Sequence, residues 1–122
     1  MKFFRLLLLL FLALQTQSEQ LKNILFVGNS YLYYNNSVHN YVEPMLREHH
    51  GSEIETKLSA IGGSKLHHHN IDHLLNPKNL NLDQQIDLLI MQGGSTEVVS
   101  EKDQKNLYKL FSNIVQKHRN LE

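Results

Sequence analysis

The sequence contains no cysteine and no tryptophan, and only two prolines and six glycines in 122 residues. Without cysteine, the protein can form neither a disulfide nor a thiolate nucleophile. Twelve Lys and Arg residues balance twelve Asp and Glu residues, and no basic stripe is present. We therefore expect no nucleic-acid partner. The chain must therefore fold without disulfides and can perform no thiol chemistry.

The longest apolar run is short and lies near the start of the chain. Met1–Arg5 is basic, Leu6–Leu14 is uninterrupted and apolar, and Gln15–Gln20 is polar. This order is typical of a secretory signal peptide, which we predict over residues 1–18. A run of this length is too short to cross a bilayer. We expect a secreted or periplasmic protein with no stable membrane span after cleavage, and a single domain over residues 22–122.

Three segments predict β-strands, and each is followed by a turn that contains glycine. The strands are Ile24–Val27, Glu53–Ala60 and Asp87–Met91, of which the second alternates as an outer strand does. Helical spacing of apolar residues predicts helices over Ser37–His50 and Glu101–His118. Strands that alternate with helices predict an α/β fold with a parallel sheet and helices on its faces.

Several details of the connections and helices also follow from the pattern. Pro44 predicts a kink in the first helix or a later start for it. The segment Tyr31–Asn36 is predicted as a polar, aromatic loop, Lys65–Leu75 as a short helix or pair of turns, and Asn76–Gln84 as a loop. The apolar face of the last helix is predicted to comprise five residues, namely Leu107, Leu110, Phe111, Ile114 and Val115.

Right-handed crossovers place the three glycine turns along one edge of the sheet, where open α/β sheets hold their ligands. Ser30 follows the first strand and could serve as a nucleophile, although Asn29–Ser30 is also ordinary helix-cap chemistry. The amides of Ser30 and Gly63, with the side chain of Gln92, could stabilise an oxyanion. Leu32 stands where Gly-x-Ser-x-Gly has its second glycine, which argues against an α/β-hydrolase.

Four histidines follow the second glycine turn: His67, His68, His69 and His73. Three interpretations stay open for this group. It can be a solvated polar helix, it can supply a substitute general base, or it can bind a metal through residues 69 and 73 at i, i+4 spacing. The histidines at positions 39, 49 and 50 are expected at the surface.

These motifs resemble the SGNH (GDSL-like) hydrolases. Ile24–Tyr31 resembles the family's first block, in the branch where Gly-Asn-Ser replaces Gly-Asp-Ser and an aromatic residue follows. Gly62–Leu66 with His69 is similar to the glycine block, and Asp87–Glu97 resembles the third. The resemblance spans about residues 22–100. It implies a flavodoxin-like, three-layer α/β/α fold. It also implies a cofactor-free esterase for small-molecule or glycan esters, including carbohydrate or lipid acyl groups.

The resemblance also implies roles for individual residues. Ser30 would be the nucleophile, with its own amide and that of Gly63 in the oxyanion hole and Asn29 supporting the turn. The family's third donor is an Asn in Gly-x-Asn-Asp, but Gly93–Thr96 stands there, so Gln92 is the first candidate and Ser95 the second.

The larger departure from the family concerns the catalytic acid and base. The family's catalytic acid and base lie in a later Asp-x-x-His motif, and this sequence has no such spacing. Without a base, a serine hydroxyl is a weak nucleophile. We expect the amino-terminal part of such a hydrolase, incomplete or inactive as it stands. The alternatives are a non-catalytic exported binding module and a metal-binding protein based on the histidines. A sheet of three strands also predicts marginal stability or pairing with another chain.

Overall fold

The computed structural model describes residues 21–51 and 53–118, so the predicted signal peptide lies outside the described residues. Three strands form one parallel sheet in the order β2-β1-β3. Their bounds are Asn23–Gly28 for β1, Glu55–Ala60 for β2 and Leu88–Met91 for β3. The α/β class with a parallel sheet, predicted from the alternating pattern, is confirmed.

Four α-helices and three 3₁₀ turns connect these strands in the described part of the chain. The helices are α1 (Ser30–Tyr33), α2 (Val38–His50), α3 (Ile71–Leu74) and α4 (Glu101–Lys117). The 3₁₀ turns cover Leu66–His68, Pro77–Leu80 and Ser95–Val98. None of the helices within residues 21–51 and 53–118 has the length and apolar character needed to cross a membrane.

β1 is the centre of the fold because it is buried on both faces. Ile24 and Phe26 point to one side, where they pack with α1 and α2 residues such as Leu32 and Val42. Leu25 and Val27 point to the other side, against α4 and the segments around the 3₁₀ turns. Full burial of one such side chain contributes about 1.5–3 kcal/mol. Two apolar clusters therefore hold the central strand in place.

α2 is tied to the outer strand β2 by polar contacts. Glu43 accepts hydrogen bonds from the Thr56 backbone at 3.1 Å and hydroxyl at 2.6 Å. Arg47 pairs with Glu43 at 2.9 Å and donates to the Ile54 carbonyl. Burial raises the pKa of Glu43, but the bonds from Thr56 and the charge of Arg47 outweigh it and lower the pKa. Glu43 is thus held as a carboxylate between helix and strand.

The structure corrects four details of the predictions. Tyr31–Asn36 is not all loop, because Ser30–Tyr33 forms one helical turn, after which residues 35–37 have φ of 52°, 69° and 64°. α2 already begins at residue 38 and includes Pro44, so the later start that Pro44 suggested is wrong. A 3₁₀ turn interrupts the predicted loop 76–84. Val115 is 59% exposed, so its assignment to the buried face of α4 was wrong.

Candidate active site

The turn after β1 is fixed by Asn29. This residue is 3% exposed, and its Oδ1 accepts a hydrogen bond from the Tyr31 backbone at 3.1 Å, which makes Asn29 the N-cap of α1. Ser30 is the first residue of that helical turn and is half-buried. Within the described part of the chain, its hydroxyl makes no hydrogen bond. The cap and the candidate nucleophile are therefore two neighbouring residues.

The first and second glycine turns are joined by three hydrogen bonds. Asn29 Nδ2 donates to the Ser64 carbonyl at 3.1 Å, and Ser64 Oγ donates to the Gly28 carbonyl at 3.2 Å. The Ile61 backbone also donates to the Gly28 carbonyl, at 3.1 Å. Ser64 is only 4% exposed. The turn that presents Ser30 is thus held from the β2 side by the backbone and the side chain of Ser64.

The third glycine turn approaches the first from the β3 side. The backbone N–H of Gln92 donates to the Val27 carbonyl at 2.8 Å, and the backbone N–H of Asn29 donates to Gln92 Oε1 at 3.4 Å. A Cβ on Gly28 would lie 2.8 Å from Gln92 Oε1 and from a methyl group of Leu32, so a larger residue there would displace these two side chains. In sheets that begin in the order 2-1-3, the ligand site lies at the β1/β3 switch point. The predicted convergence of the turns occurs at that point.

A buried carboxylate that sequence reasoning missed joins the second and third turns. Glu97 is 7% exposed, and its Oε2 accepts hydrogen bonds from Gly94 at 2.6 Å and from Leu66 at 3.0 Å. The spacing Gly94-Ser95-Thr96-Glu97 places a glutamate three residues after a turn, as in a capping box. That spacing was the signal in the sequence. Glu97 completes a closed set of contacts among the three turns.

The backbone amides of Ser30 and Gly63 are the candidate oxyanion donors. In the described residues, neither the Ser30 nor the Gly63 N–H has a hydrogen-bond partner. Gly63 is exposed, has φ of +68° and has no atom within 4 Å of an added Cβ. A free amide with open space beside it is what an oxyanion hole requires. Gln92 differs, because its Nε2 already donates to the Gly93 carbonyl at 2.8 Å. The roles of Gly63 and Gln92 stay predictions.

The four clustered histidines do not share a site. His67 approaches Glu97 at 3.7 Å, His68 accepts from the Lys65 backbone at 3.1 Å, and His73 bonds Asn79 at 3.1 Å. His69 is buried and lies 3.0 Å from Ser64 Oγ through its Nε2. None of them bonds to Ser30. Across the described ranges, no three His, Asp or Glu residues lie close enough to hold a metal ion.

Two histidines have surroundings that the sequence did not indicate. Burial lowers the pKa of His69, a bond to the Gly28 carbonyl opposes this, and the charge of His68 adds to the lowering. His69 is therefore a neutral ring near pH 7. His39, expected at the surface, is half-buried beside Phe26, with ring centroids 6.3 Å apart. Its Nδ1 is buried without a hydrogen-bond partner.

Comparison with known proteins finds no relative of this chain. No protein-family model, no curated protein and no solved structure matches the chain.

Proposed function

We propose that the chain carries the nucleophile and oxyanion half of an exported SGNH-like serine esterase, with the flavodoxin-like α/β/α fold of that family. One observation carries the proposal. Ser30 has a free hydroxyl and a free amide on a turn that both neighbouring strand ends hold in place. A polar side chain that makes no hydrogen bond, on a turn that other hydrogen bonds hold in place, is suited to reaction with a ligand.

The proposed reaction is acyl transfer to Ser30. Its Oγ attacks the carbonyl carbon of an ester, and the N–H groups of Ser30 and Gly63 donate to the oxygen that becomes negative. The alcohol leaves with a proton, and water then hydrolyses the acyl-enzyme. Suitable substrates are small-molecule or glycan esters, because Gly63 leaves the space beside its amide open.

The missing general base limits the rate. No histidine bonds Ser30 among the described residues, and general-base catalysis contributes about 10²–10⁴-fold. We therefore expect slow turnover with a chain of this sequence. Covalent trapping of the serine is a more sensitive measurement than hydrolysis.

The test is labelling of the purified protein with a fluorophosphonate, followed by peptide mapping and an assay with p-nitrophenyl acetate. We expect the label on Ser30 and its loss in Ser30→Ala. Ser112→Ala is the matched control, because Ser112 is a half-buried serine on α4, far along the chain from the three turns. Labelling that survives Ser30→Ala, or that is lost equally in Ser112→Ala, contradicts the proposal.

The absence of a histidine contact to Ser30 also favours a second candidate, a non-catalytic module that binds the same esters. NMR titration with an acetylated oligosaccharide separates the two. A binding module shows shifts at Gly63 and Tyr31 and releases no acetate, whereas an esterase releases acetate.

A further inference from the structure

His69 differs from its neighbours because it is buried. Only 8% of the residue is exposed, whereas His67 and His68 in the same segment are exposed. The Nε2 atom lies 3.0 Å from Ser64 Oγ. Burying an imidazole beside a hydroxyl is unfavourable unless the two groups bond to each other. The structure gives His69 this one side-chain partner.

The directions of the hydrogen bonds follow from the groups present. Ser64 Oγ lies 3.2 Å from the Gly28 carbonyl, which can only accept. The hydroxyl has one proton, and directing it to the Gly28 carbonyl leaves Oγ as an acceptor toward His69. We assign to His69 the tautomer with a hydrogen on Nε2, which donates to Ser64 Oγ. The ring therefore acts as a donor toward Ser64 and leaves Nδ1 unprotonated.

The bonds of Ser64 reach the two residues before Ser30. Its hydroxyl holds the Gly28 carbonyl, and its own carbonyl accepts the hydrogen bond from Asn29 Nδ2 at 3.1 Å. Asn29 in turn caps the helical turn through Tyr31. An unbroken series of hydrogen bonds thus runs from His69 through Ser64 to the backbone that presents Ser30.

We propose that His69 is a positioning residue of the candidate active site, acting through Ser64 on the Gly28–Asn29 turn that presents Ser30. The inference rests on the proposed function of Ser30. His69 makes no hydrogen bond to Ser30, and the proposed role requires no contact with a substrate. Its task is to fix the orientation of the Ser64 hydroxyl, and with it the position of the nucleophile.

A pair of variants tests this role. In His69→Gln, the side-chain amide can replace the Nε2–H donor, whereas in His69→Asn the amide is too short to reach Ser64. His68→Gln is the control, because His68 is an exposed neighbour. Two signals are followed: the NMR resonances of the Asn29 side-chain amide and Tyr31 N–H, and the rate of fluorophosphonate labelling of Ser30.

We expect His69→Asn to shift both resonances and to slow labelling about tenfold or more, because a small displacement of a reacting group costs a large factor in rate. His69→Gln should restore both, and His68→Gln should change neither. The proposal is overturned if His69→Asn leaves the resonances and the rate unchanged, or if His69→Gln disturbs them as strongly as His69→Asn.

Two further outcomes are also decisive. If His69→Asn does not fold, Ser64→Ala replaces it, and unchanged Asn29 and Tyr31 resonances in that variant overturn the proposal. If wild-type Ser30 is never labelled, the esterase proposal fails. In that case the Asn29 and Tyr31 resonances of the His69 variants alone test whether His69 positions the turn.

Discussion

At the scale of single residues, the structure gives a physical reason for Asn at position 29. Its Oδ1 accepts from Tyr31, while its Nδ2 faces the carbonyl oxygens of Ser64 at 3.1 Å and Gly93 at 3.5 Å. An aspartate could make the first contact but, when ionised, not the other two. The Gly-Asn-Ser form of the motif thus suits the carbonyl groups that surround it in this chain.

This leads to a prediction for Asn29→Asp. The ionised carboxylate would be buried against two carbonyl oxygens, so we expect a loss of at least about 2 kcal/mol in unfolding free energy at pH 7. The loss should shrink at pH 4, where a protonated carboxyl can donate. Urea unfolding of the variant and wild type at both pH values measures this.

Asn29→Ser is the matched comparison, because it keeps an oxygen for the cap without placing a charge against the carbonyls. It should be less destabilising than Asn29→Asp at pH 7. Equal stability of Asn29→Asp and wild type at pH 7 would show that the two carbonyl contacts contribute little.

The sequence indicated the positions of some candidate site residues and missed others, for identifiable reasons. Ser30 and Gly63 lie in glycine turns directly after strands, as the pattern predicts, and their catalytic roles stay predictions. The burial of His69 was missed because three successive histidines resemble a solvated polar segment. Tertiary packing alone decides that one of them turns inward to Ser64. Glu97 was missed because its partners, Leu66 and Gly94, come from two different turns.

At the scale of secondary-structure elements, strong periodicity made the prediction reliable. All three strands and both long helices were predicted, with ends within two residues of those observed. The short turns at 66–68 and 71–74 fall within the segment Lys65–Leu75, which was predicted as a short helix or pair of turns. Those at 30–33, 77–80 and 95–98 were not predicted, since a turn of four residues carries too few apolar positions to show a period. Val115 was misplaced because the face of α4 that packs on the sheet is narrower than the apolar stripe.

The central position of β1 predicts that its apolar residues are the most sensitive in the chain. Leu25 is fully buried, so Leu25→Ala should lower the unfolding free energy by about 2–5 kcal/mol. This is a large part of the total of about 5–15 kcal/mol that is typical of a domain. Chemical denaturation followed by circular dichroism measures the change.

Tyr108→Ala provides the control, because Tyr108 is 76% exposed on α4 and should change stability by no more than about 0.5 kcal/mol. If Leu25→Ala were no more destabilising than Tyr108→Ala, β1 would not be the centre of the core in solution.

At the scale of the whole molecule, the two edges of the sheet differ. The outer strand β2 carries Glu55 and Lys57, which pair at 2.6 Å. Charged side chains of this kind protect an edge from pairing with other strands. β3 consists of Leu88, Leu89, Ile90 and Met91, without a charge. The expectation that the chain is marginally stable or pairs with another chain stays a prediction, and β3 is the less protected edge.

The stability of the folded chain should depend on pH through His69. Burial holds its pKa below the ordinary value, so the unfolded state takes up a proton more readily than the folded state. The contribution of neutral His69 to the unfolding free energy is then fully present above about pH 6.5, and it is lost as the pH falls below that value. Glu43 adds no dependence in this window, because its lowered pKa keeps it ionised.

Urea unfolding at pH 7.5 and pH 5.5 tests this dependence. Wild type should lose stability at the lower pH, and His69→Gln should lose less, because glutamine does not titrate. His68→Gln should keep most of the wild-type dependence, because the charge of His68 is the smallest of the causes that set the pKa of His69. Identical pH dependence in wild type and His69→Gln would place the titrating group elsewhere.

The unbonded hydroxyl of Ser30 has a consequence for how such proteins change over generations. Because this hydroxyl makes no hydrogen bond among the described residues, the fold does not require it, and only contact with a ligand would preserve it under natural selection. In a lineage that had lost the proposed esterase activity or ester binding, position 30 would be free to change to alanine or glycine without loss of the fold. Asn29, Ser64 and Glu97 would persist, since the architecture needs them. The residue at position 30 would then distinguish chains that retain the proposed activity from chains that have lost it.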